Sequence, residues 1–128
     1  LEALRRCTAR VQEKCPGDAS ALENDPDRQD IIALNLTRAV QVSVDIAAHL
    51  IAERATPAPA TMGQSFEALA EAGIIDPDLA VRLKKSVGFR NIAVHNYEAI
   101  NWHIVHAICR HRLEDFKAYA RAIVAAMA

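Results

Sequence analysis

The sequence is short of aromatic residues, of glycine and of net charge, and each shortage narrows what the chain can be. Aromatic residues make up 5% of 128 positions, so the core has to be built from aliphatic side chains. Glycine occurs four times in an alanine-rich chain, a composition that favours helices over sheets. The formal net charge of -1 excludes a globally basic nucleic-acid binder but leaves room for local basic patches. At this length we expect one domain covering residues 1–128.

Cysteine usage and missing motifs exclude several classes of protein. Cys7, Cys15 and Cys109 cannot all pair, and no Cys-x-x-Cys is present, so we expect a reducing, cytoplasmic setting. No signal peptide is visible. The chain also has no glycine-rich phosphate loop, no Gly-x-Ser-x-Gly, no His-Glu-x-x-His and no zinc-finger spacing. We therefore expect no cofactor and no bound metal.

The apolar stretch from Ile31 to Ile51 is long enough to suggest a membrane-spanning helix. It contains Arg38 and Asp45, and each charge costs about 2.5–3.5 kcal/mol at the centre of a membrane helix. Gln41 and His49 add further polar groups to the same stretch. We therefore predict that this helix belongs to a fold without membrane contact.

Capping and helix-breaking residues divide the chain into about five predicted helices. No stretch alternates as a strand does, and no internal repeat is visible, so the expected fold is an all-α, up-and-down helical bundle. The predicted helices cover residues 1–15, stopped by Pro16 and Gly17; a long helix capped by Asn24 or Asp25 and running to about Arg54; residues 64–72, closed by Gly73; a helix that begins at Pro77 after Asp76; and residues 102–125 after Asn101.

The long helix has more apolar surface than one contact in a bundle requires, which predicts a partner subunit. One apolar stripe consists of Ile32, Leu36, Val40, Ile46 and Leu50, and a second of Ile31, Leu34, Val44, Ala48 and Ile51.

Four polar residues of the long helix fall on one face: Asn35, Arg38, Asp45 and His49. One interpretation is a structural Arg38–Asp45 pair, and the other is a wall behind a functional site. Because buried charges need partners, both interpretations predict that Arg38 and Asp45 are each paired with some other group.

Residues 90–97, at the end of a predicted helix, carry the most specific chemistry. Arg90 offers a planar, always-charged fork that suits phosphate, and His95 carries protons near neutral pH. Tyr97 adds a phenol two residues later. RNA cleavage without a metal needs proton transfer to and from ribose and phosphate oxygens and stabilisation of charge on phosphorus, which these residue types can supply.

Helical geometry adds a constraint to this interpretation. In a regular helix Arg90 and His95 point about 140° apart, whereas Asn91 shares a face with His95 and Arg90 shares one with Tyr97. One histidine per chain is also too few for a separate acid and base. A two-fold dimer with two motifs around one cleft would supply both.

Two other groups of residues allow weaker interpretations. Arg82, Lys84 and Lys85 precede the motif without an intervening acid, which predicts either an RNA-binding patch or a solvated helix face. Trp102 could stack a base, but at a helix start packing is the favoured interpretation. His103 with His106, and His111 with Asp115, have helical ligand spacings. Because the three histidines are loosely spaced and no cysteine framework is present, we expect surface or interface positions and not metal ligands.

The R-x4-H-x-Y pattern of residues 90–97 resembles the signature of HepT-like toxins in the HEPN superfamily. The flanking segments are similar to the same family over residues 30–116. They are Asp30–Leu36 with Asp45 and His49–Ile51, then Ser65, Phe66 and Leu69 followed by Gly73–Ile75, and Val87–Asn91 running into Val94–Tyr97.

The resemblance implies a homodimeric toxin of a prokaryotic toxin–antitoxin system, of type II or type VII character, with metal-independent endoribonuclease activity on RNA. Its implied partner is a minimal nucleotidyltransferase (MNT) antitoxin. By position Arg90 and His95 would be catalytic, Asn91 and Asn96 would support them, and Tyr97 would be the tyrosine that the antitoxin AMPylates. Two alternatives stay open: Tyr97 as a half-buried packing residue, and the whole chain as a non-catalytic helical module that binds a nucleotide or a partner.

Overall fold

The computed structural model describes residues 1–54 and 57–127, and those residues form helices and turns without a strand. The expected all-α bundle is confirmed. In chain order the α-helices are α1 (Glu2–Lys14), α2 (Ala19–Glu23), α3 (Pro26–Glu53), α4 (Met62–Glu71), α5 (Pro77–His95), α6 (Trp102–His111) and α7 (Leu113–Met127), with a 3-10 turn at Tyr97–Ala99.

The ends of the long helix lie where the capping residues predict them. Asp25 is the N-cap, its carboxylate accepts the backbone N–H of Arg28, and Pro26 occupies the first turn. Gly73, which closes α4, adopts a left-handed φ of 76° that favours glycine. The expected boundaries of α3 and α4 are therefore confirmed to within two residues.

The described residues contain seven α-helices instead of about five. The short helix α2 forms between Pro16 and the long helix because the Asp18 carboxylate caps it by accepting from Ala21 N–H. The predicted last helix is two helices, separated at Arg112. Its buried positions keep helical spacing across this break, so periodicity alone predicts one continuous helix; they are Val105, Cys109, Leu113, Phe116, Tyr119 and Ile123.

Helix α3 runs through the centre of the bundle and packs against α1, α4 and α5. Its core stripe is buried, including Ile32, Leu36 and Val40. From α7, the fully buried Tyr119 packs edge-on against Phe66 of α4, with ring centroids 5.8 Å apart. These contacts tie the two ends of the chain to the central helix.

The second apolar stripe of α3 is only partly covered. Val44 and Ile51 are buried, whereas Leu34 is 49% exposed and Ala48 is also exposed. By length and composition α3 could cross a membrane, a test that core helices also pass, and half of its most apolar 18-residue window is buried in the bundle. The absence of membrane contact stays a prediction.

The predicted Arg38–Asp45 pair is wrong. Both side chains lie on the exposed face of α3, where each can be solvated without a charged partner. Asp45 accepts a hydrogen bond from the Gln41 amide at 3.0 Å, and His49 lies 3.1 Å from Glu53. Within residues 1–54 and 57–127, Arg38 makes no hydrogen bond or ion pair, and it lies beside Cys7 of α1. Of the four polar residues, Asn35 is buried and donates to the Ile31 carbonyl, whereas Arg38, Asp45 and His49 are exposed to solvent.

Candidate functional site

The motif occupies the last two turns of α5 and the residues just after it. Leu79, Leu83 and Val87 anchor the earlier turns of this helix in the core, which fixes the direction in which its end points. His95 is the last helical residue, and Asn96 ends the helix with its backbone N–H donating to the Ile92 carbonyl at 2.8 Å. The functional side chains are therefore carried on a rigid element, close to its exposed end.

Arg90 is half-buried and only partly satisfied. Its Nη1 donates to the Asn91 side-chain oxygen at 3.1 Å, which holds one arm of the guanidinium. Its Nε is buried and, among the described residues, has no hydrogen-bond acceptor. A buried donor without a partner costs about 1–3 kcal/mol, so this guanidinium is suited to an acceptor supplied by another molecule.

His95 is exposed and, in the part of the chain that the structure describes, makes no hydrogen bond. His95 lies five positions after Arg90 on a continuous helix, so the two side chains leave α5 about 140° apart. One protomer alone does not bring the imidazole and the guanidinium around a common point. Asn91 lies on the same side of α5 as His95, and its side-chain oxygen accepts a hydrogen bond from Arg90. Its amide therefore connects the side of the helix that carries the guanidinium with the side that carries the imidazole.

Tyr97 does not continue the helix, which corrects the expectation that it shares a face with Arg90. Asn96 has φ -153° and ψ 64°, so helical register is lost before Tyr97. The Tyr97 hydroxyl instead donates to Oδ1 of Asp30 on α3 at 2.6 Å. Its ring meets the edge of Trp102 with centroids 5.8 Å apart, as expected for a packing role of the tryptophan.

The environment keeps the Tyr97 phenol protonated. Partial burial raises the pKa of Tyr97 well above its ordinary value, and the hydrogen bond to Asp30 and the negative charge of Asp30 raise it further. At 38% exposure, the side chain is nevertheless accessible from solvent. Tyr97 therefore packs against Trp102 with part of its side chain open to solvent, and its modification by another protein stays a prediction.

An open cleft of about 270 Å³ lies beside Tyr97. One wall comes from α3 and the other from the end of α5; the lining residues are Asp30, Ala33, Leu34, Thr37, Ala93, Val94 and Tyr97. Helix α3 does supply a wall, but not with the predicted residues. Arg38 lines a groove against α1, and Asp45 lines one against α7.

Comparison with known proteins identifies the family. The sequence profile described as "Ribonuclease HepT-like" matches residues 4–123. The chain belongs to the HepT-like ribonuclease family. It is 38% identical over 125 residues to the mRNA nuclease HepT of Shewanella oneidensis. This alignment covers 98% of this chain and 93% of that protein. The resemblance inferred from the motif is confirmed, as is the interpretation of the chain as an enzyme of this family.

Solved structures agree with the family assignment. A tri-AMPylated Shewanella oneidensis HEPN toxin in complex with MNT antitoxin superposes with a TM-score of 0.90 at 38% identity, covering 97% of this chain and 92% of that one. A toxin–antitoxin crystal structure with AMP-PNP superposes with a TM-score of 0.88 at 37% identity, covering 95% and 92%. The HepT-like fold therefore extends over nearly the whole chain.

The predicted basic patch of the HepT-like chain is partly neutralised by acids from other helices. Arg82 forms an ion pair with Asp115 of α7 at 2.9 Å, and Lys84 forms one with Glu67 of α4. Lys85 is exposed and has no ion-pair partner within residues 1–54 and 57–127. Counting charges along α5 alone missed these acids because they are distant in sequence.

Two of the three histidines of α6 make structural contacts. His103 lies 2.9 Å from a Glu23 carboxylate oxygen, and His106 Nε2 lies 2.9 Å from the Pro16 carbonyl. These contacts fasten α6 to α2 and to the loop before it, whereas His111 is exposed at the end of α6. Among the described residues, no group of three or more His, Cys, Asp or Glu side chains could hold a metal ion.

Sequence reasoning did not assign a role to Asp30. An acidic residue near the start of a helix is ordinarily explained by the helix dipole, so its local sequence carries no sign of a distant partner. The contact joins residues 67 positions apart and depends on α3 and the end of α5 lying side by side. Only the tertiary structure reveals it.

Proposed function

We propose that this chain is the toxin of a cytoplasmic toxin–antitoxin pair, cleaves RNA without a metal as a homodimer, and is neutralised by an MNT nucleotidyltransferase antitoxin. Support comes from relatives that are described as an mRNA nuclease HepT and as a HEPN toxin in complex with MNT antitoxin. The observation that carries the catalytic proposal is local. A half-buried guanidinium with an unpaired Nε lies five positions, about 1.4 helical turns, before an exposed imidazole.

Arg90 binds the scissile phosphate in this proposal. A guanidinium can form two parallel hydrogen bonds to phosphate oxygens, and a movement of the Arg90 side chain would uncover its buried, unpaired Nε for one of them. Negative charge on those oxygens grows as phosphorus becomes five-coordinate, so the same contacts stabilise the transition state more than the bound RNA. The hydrogen bond that Arg90 donates to the Asn91 side-chain oxygen holds the guanidinium in place before RNA binds.

His95 transfers protons. An imidazole can remove the proton of the ribose 2′-hydroxyl, and its protonated form can donate to the leaving 5′-oxygen. One protomer has one such histidine in the motif, and it points away from Arg90. A second copy related by a two-fold axis would place two His95 and two Arg90 side chains around one cleft, so that one histidine serves as base and the other as acid.

Exposed apolar side chains around the motif support the homodimer. Leu34, Ile92 and Val94 are 49%, 43% and 50% exposed; Leu34 and Val94 line the cleft between α3 and the end of α5, and Ile92 lies on the same turn of α5. Covering a large aliphatic side chain stabilises a contact by about 1.5–3 kcal/mol when burial is complete. A second copy seated on these three side chains, with Asp30 and Tyr97 left open at the other edge of the cleft, would complete the site.

Tyr97 is the residue that the antitoxin modifies in this proposal. Transfer of AMP to its hydroxyl adds a negatively charged phosphate and a bulky nucleoside two residues from His95. Charge repulsion and occupied volume would then both exclude RNA. Tyr97 is accessible for this reaction because 38% of it is exposed.

RNA outside the cleavage point is contacted by the basic face of α5. Lys85 is the best-supported of these RNA contacts, because Arg82 and Lys84 already form ion pairs with acids. Asn96 adds a polar group between His95 and Tyr97 and stays a predicted supporting residue. These contacts contribute an affinity for RNA that falls as the salt concentration rises and does not depend on the RNA sequence.

The catalytic proposal is tested with purified protein and total RNA in the presence of EDTA. Wild type should cleave, whereas His95→Ala and Arg90→Ala should each lose at least about two orders of magnitude in rate. His111→Ala is the matched control, since it removes an exposed histidine at the end of α6. If wild type, His95→Ala and Arg90→Ala give the same cleavage pattern, the chain is not a ribonuclease of this mechanism.

A further inference from the structure

Modification of Tyr97 requires a group that can accept the proton of its phenol. A phenol attacks the α-phosphorus of a nucleoside triphosphate poorly unless its proton is removed as the new bond forms. Burial and the neighbouring carboxylate keep this phenol protonated at neutral pH, because both raise the pKa of Tyr97. A proton acceptor therefore has to lie at the hydroxyl when the reaction occurs.

Asp30 is positioned as such an acceptor. Its Oδ1 lies 2.6 Å from the Tyr97 hydroxyl oxygen, which is the length of a strong hydrogen bond from a hydroxyl to a carboxylate and within reach for proton transfer. The acid is held by α3, the central helix of the bundle, while Tyr97 is held by its contact with Trp102. Both partners are therefore fixed before any other molecule binds.

No other titratable group competes for this proton in the cleft. Among its lining residues from α3, α5 and the 3-10 turn, Asp30 and Tyr97 are the only ones that titrate. His95 is two residues from Tyr97 but is not hydrogen-bonded to it within the described parts of the chain. Asp30 and Tyr97 are both exposed, so a nucleotide held by a second protein can approach the phenolic oxygen.

We propose that Asp30 is the general base for nucleotidyl transfer to Tyr97, so that the toxin contributes a catalytic residue to its own modification. This inference rests on the proposed function, in which an MNT partner supplies the nucleoside triphosphate. The Tyr97 oxygen forms a bond to the α-phosphorus. The bond from that phosphorus to the oxygen bridging to the β-phosphate breaks, and pyrophosphate leaves with the electron pair. The phenolic proton passes to Oδ1 of Asp30 and then to water.

Modification would change the contact between Tyr97 and Asp30. The ester oxygen of a modified Tyr97 has no proton to donate, so its hydrogen bond to Asp30 is lost. The new phosphate carries negative charge, which the Asp30 carboxylate repels. The modified side chain should therefore move away from α3, toward the side of α5 where the motif lies.

The test uses Asp30→Asn with the antitoxin and saturating ATP, followed by intact mass over time. Asparagine keeps the shape and can still accept the hydrogen bond, but it cannot take the proton. At neutral pH we expect modification about a hundredfold slower than in wild type. The matched control is Asp27→Asn, the same change at an exposed carboxylate one turn earlier on α3, which should be modified at the wild-type rate.

The pH dependence separates proton transfer from simple positioning. As pH rises and hydroxide replaces the missing base, the ratio of wild-type to Asp30→Asn rate should fall toward one. A ratio that stays constant with pH, or an Asp30→Asn rate equal to wild type, overturns the inference. A wild-type chain that gains no mass overturns the proposed modification itself. Thermal unfolding of each variant checks that the fold is intact.

Discussion

The hydroxyl of Tyr119, in α7, donates to the backbone carbonyl of Ser43 in the middle of α3, at 2.7 Å. Tyr119 and Ser43 are both fully buried, so this bond joins the last helix to the central helix without solvent. The carbonyl of a helical residue also accepts the backbone N–H of the residue four positions later, and a carbonyl oxygen can accept two hydrogen bonds. The contact is therefore additional to the regular helical pattern.

Removing this hydroxyl should destabilise the fold without altering the site. Tyr119→Phe keeps the ring against Phe66 and loses one hydrogen bond, so we expect a loss of about 1 kcal/mol in the free energy of unfolding. Tyr119→Ala also removes the ring and should lose about 3–5 kcal/mol, as for other buried aromatic residues. Urea unfolding measures both. Equal stability of Tyr119→Phe and wild type would contradict the assigned role of the bond.

Stability should also fall at alkaline pH. Burial raises the pKa of the Tyr119 phenol, and it raises that of the Cys109 thiol from 9.0 to about 12, with a further contribution from neighbouring Cys15. In the unfolded chain these groups ionise from about pH 8.5–10 upward. Their contribution is therefore complete below that range and is lost as pH rises toward the folded-state pKa values.

Urea midpoints measured at pH 7.5 and pH 10.5 check this prediction, with Tyr119→Phe alongside wild type. The variant cannot ionise at this position, so its midpoint should fall less steeply. A wild-type midpoint that is unchanged between the two pH values would show that neither buried group is coupled to folding.

The proposed dimer face can be tested at Leu34. Leu34→Glu places a charge on the apolar surface beside the cleft, where burial against a second copy would be strongly unfavourable. We expect a monomer with little RNA cleavage, measured by light scattering after size exclusion and by the EDTA cleavage assay. Val81→Glu is the matched control, since Val81 is 54% exposed on the earlier part of α5. A fully active dimeric Leu34→Glu would exclude this face.

Neighbouring lysines should differ in their contribution to RNA binding. Lys84 is paired with Glu67, whereas Lys85 lacks an ion-pair partner among the described residues. In a His95→Ala background that does not cleave, Lys85→Ala should weaken binding more than Lys84→Ala. It should also reduce the slope of log affinity against log salt by about one. Fluorescence anisotropy at several salt concentrations measures both quantities. Equal effects of the two changes would mean that the Glu67 pair does not persist when RNA binds.

Local signals in the sequence were sufficient for most of the fold. Asp25 and Pro26 defined the start of α3, and Gly73 defined the end of α4, because capping depends on residues within a few positions. The break at Arg112 was not predictable in the same way, since the buried spacing continues through it. Caps and periodicity thus located helices reliably but not every interruption.

The contacts of the candidate site were not predictable from the sequence. Arg90, His95 and Tyr97 were selected from spacing and residue chemistry, and their roles stay predictions. The bond from Tyr97 to Asp30 depends on tertiary packing, and so do the acids that neutralise part of the basic face. Spacing alone also left open whether the polar stripe of α3 forms a structural pair or the wall of a site, because the direction of each side chain relative to the core is not encoded in it.

The non-helical conformation of Asn96, with φ -153° and ψ 64°, places Tyr97 and His95 on different elements. Had α5 continued, Tyr97 would lie about 200° around the axis from His95 and on the face of Ala93, which lines the α3 cleft. With the helix ended, the phenol is carried by the 3-10 turn and bonded to Asp30, while the imidazole stays on the last helical turn. A displacement of the 3-10 turn can therefore carry the phenol away from α3 without turning the imidazole.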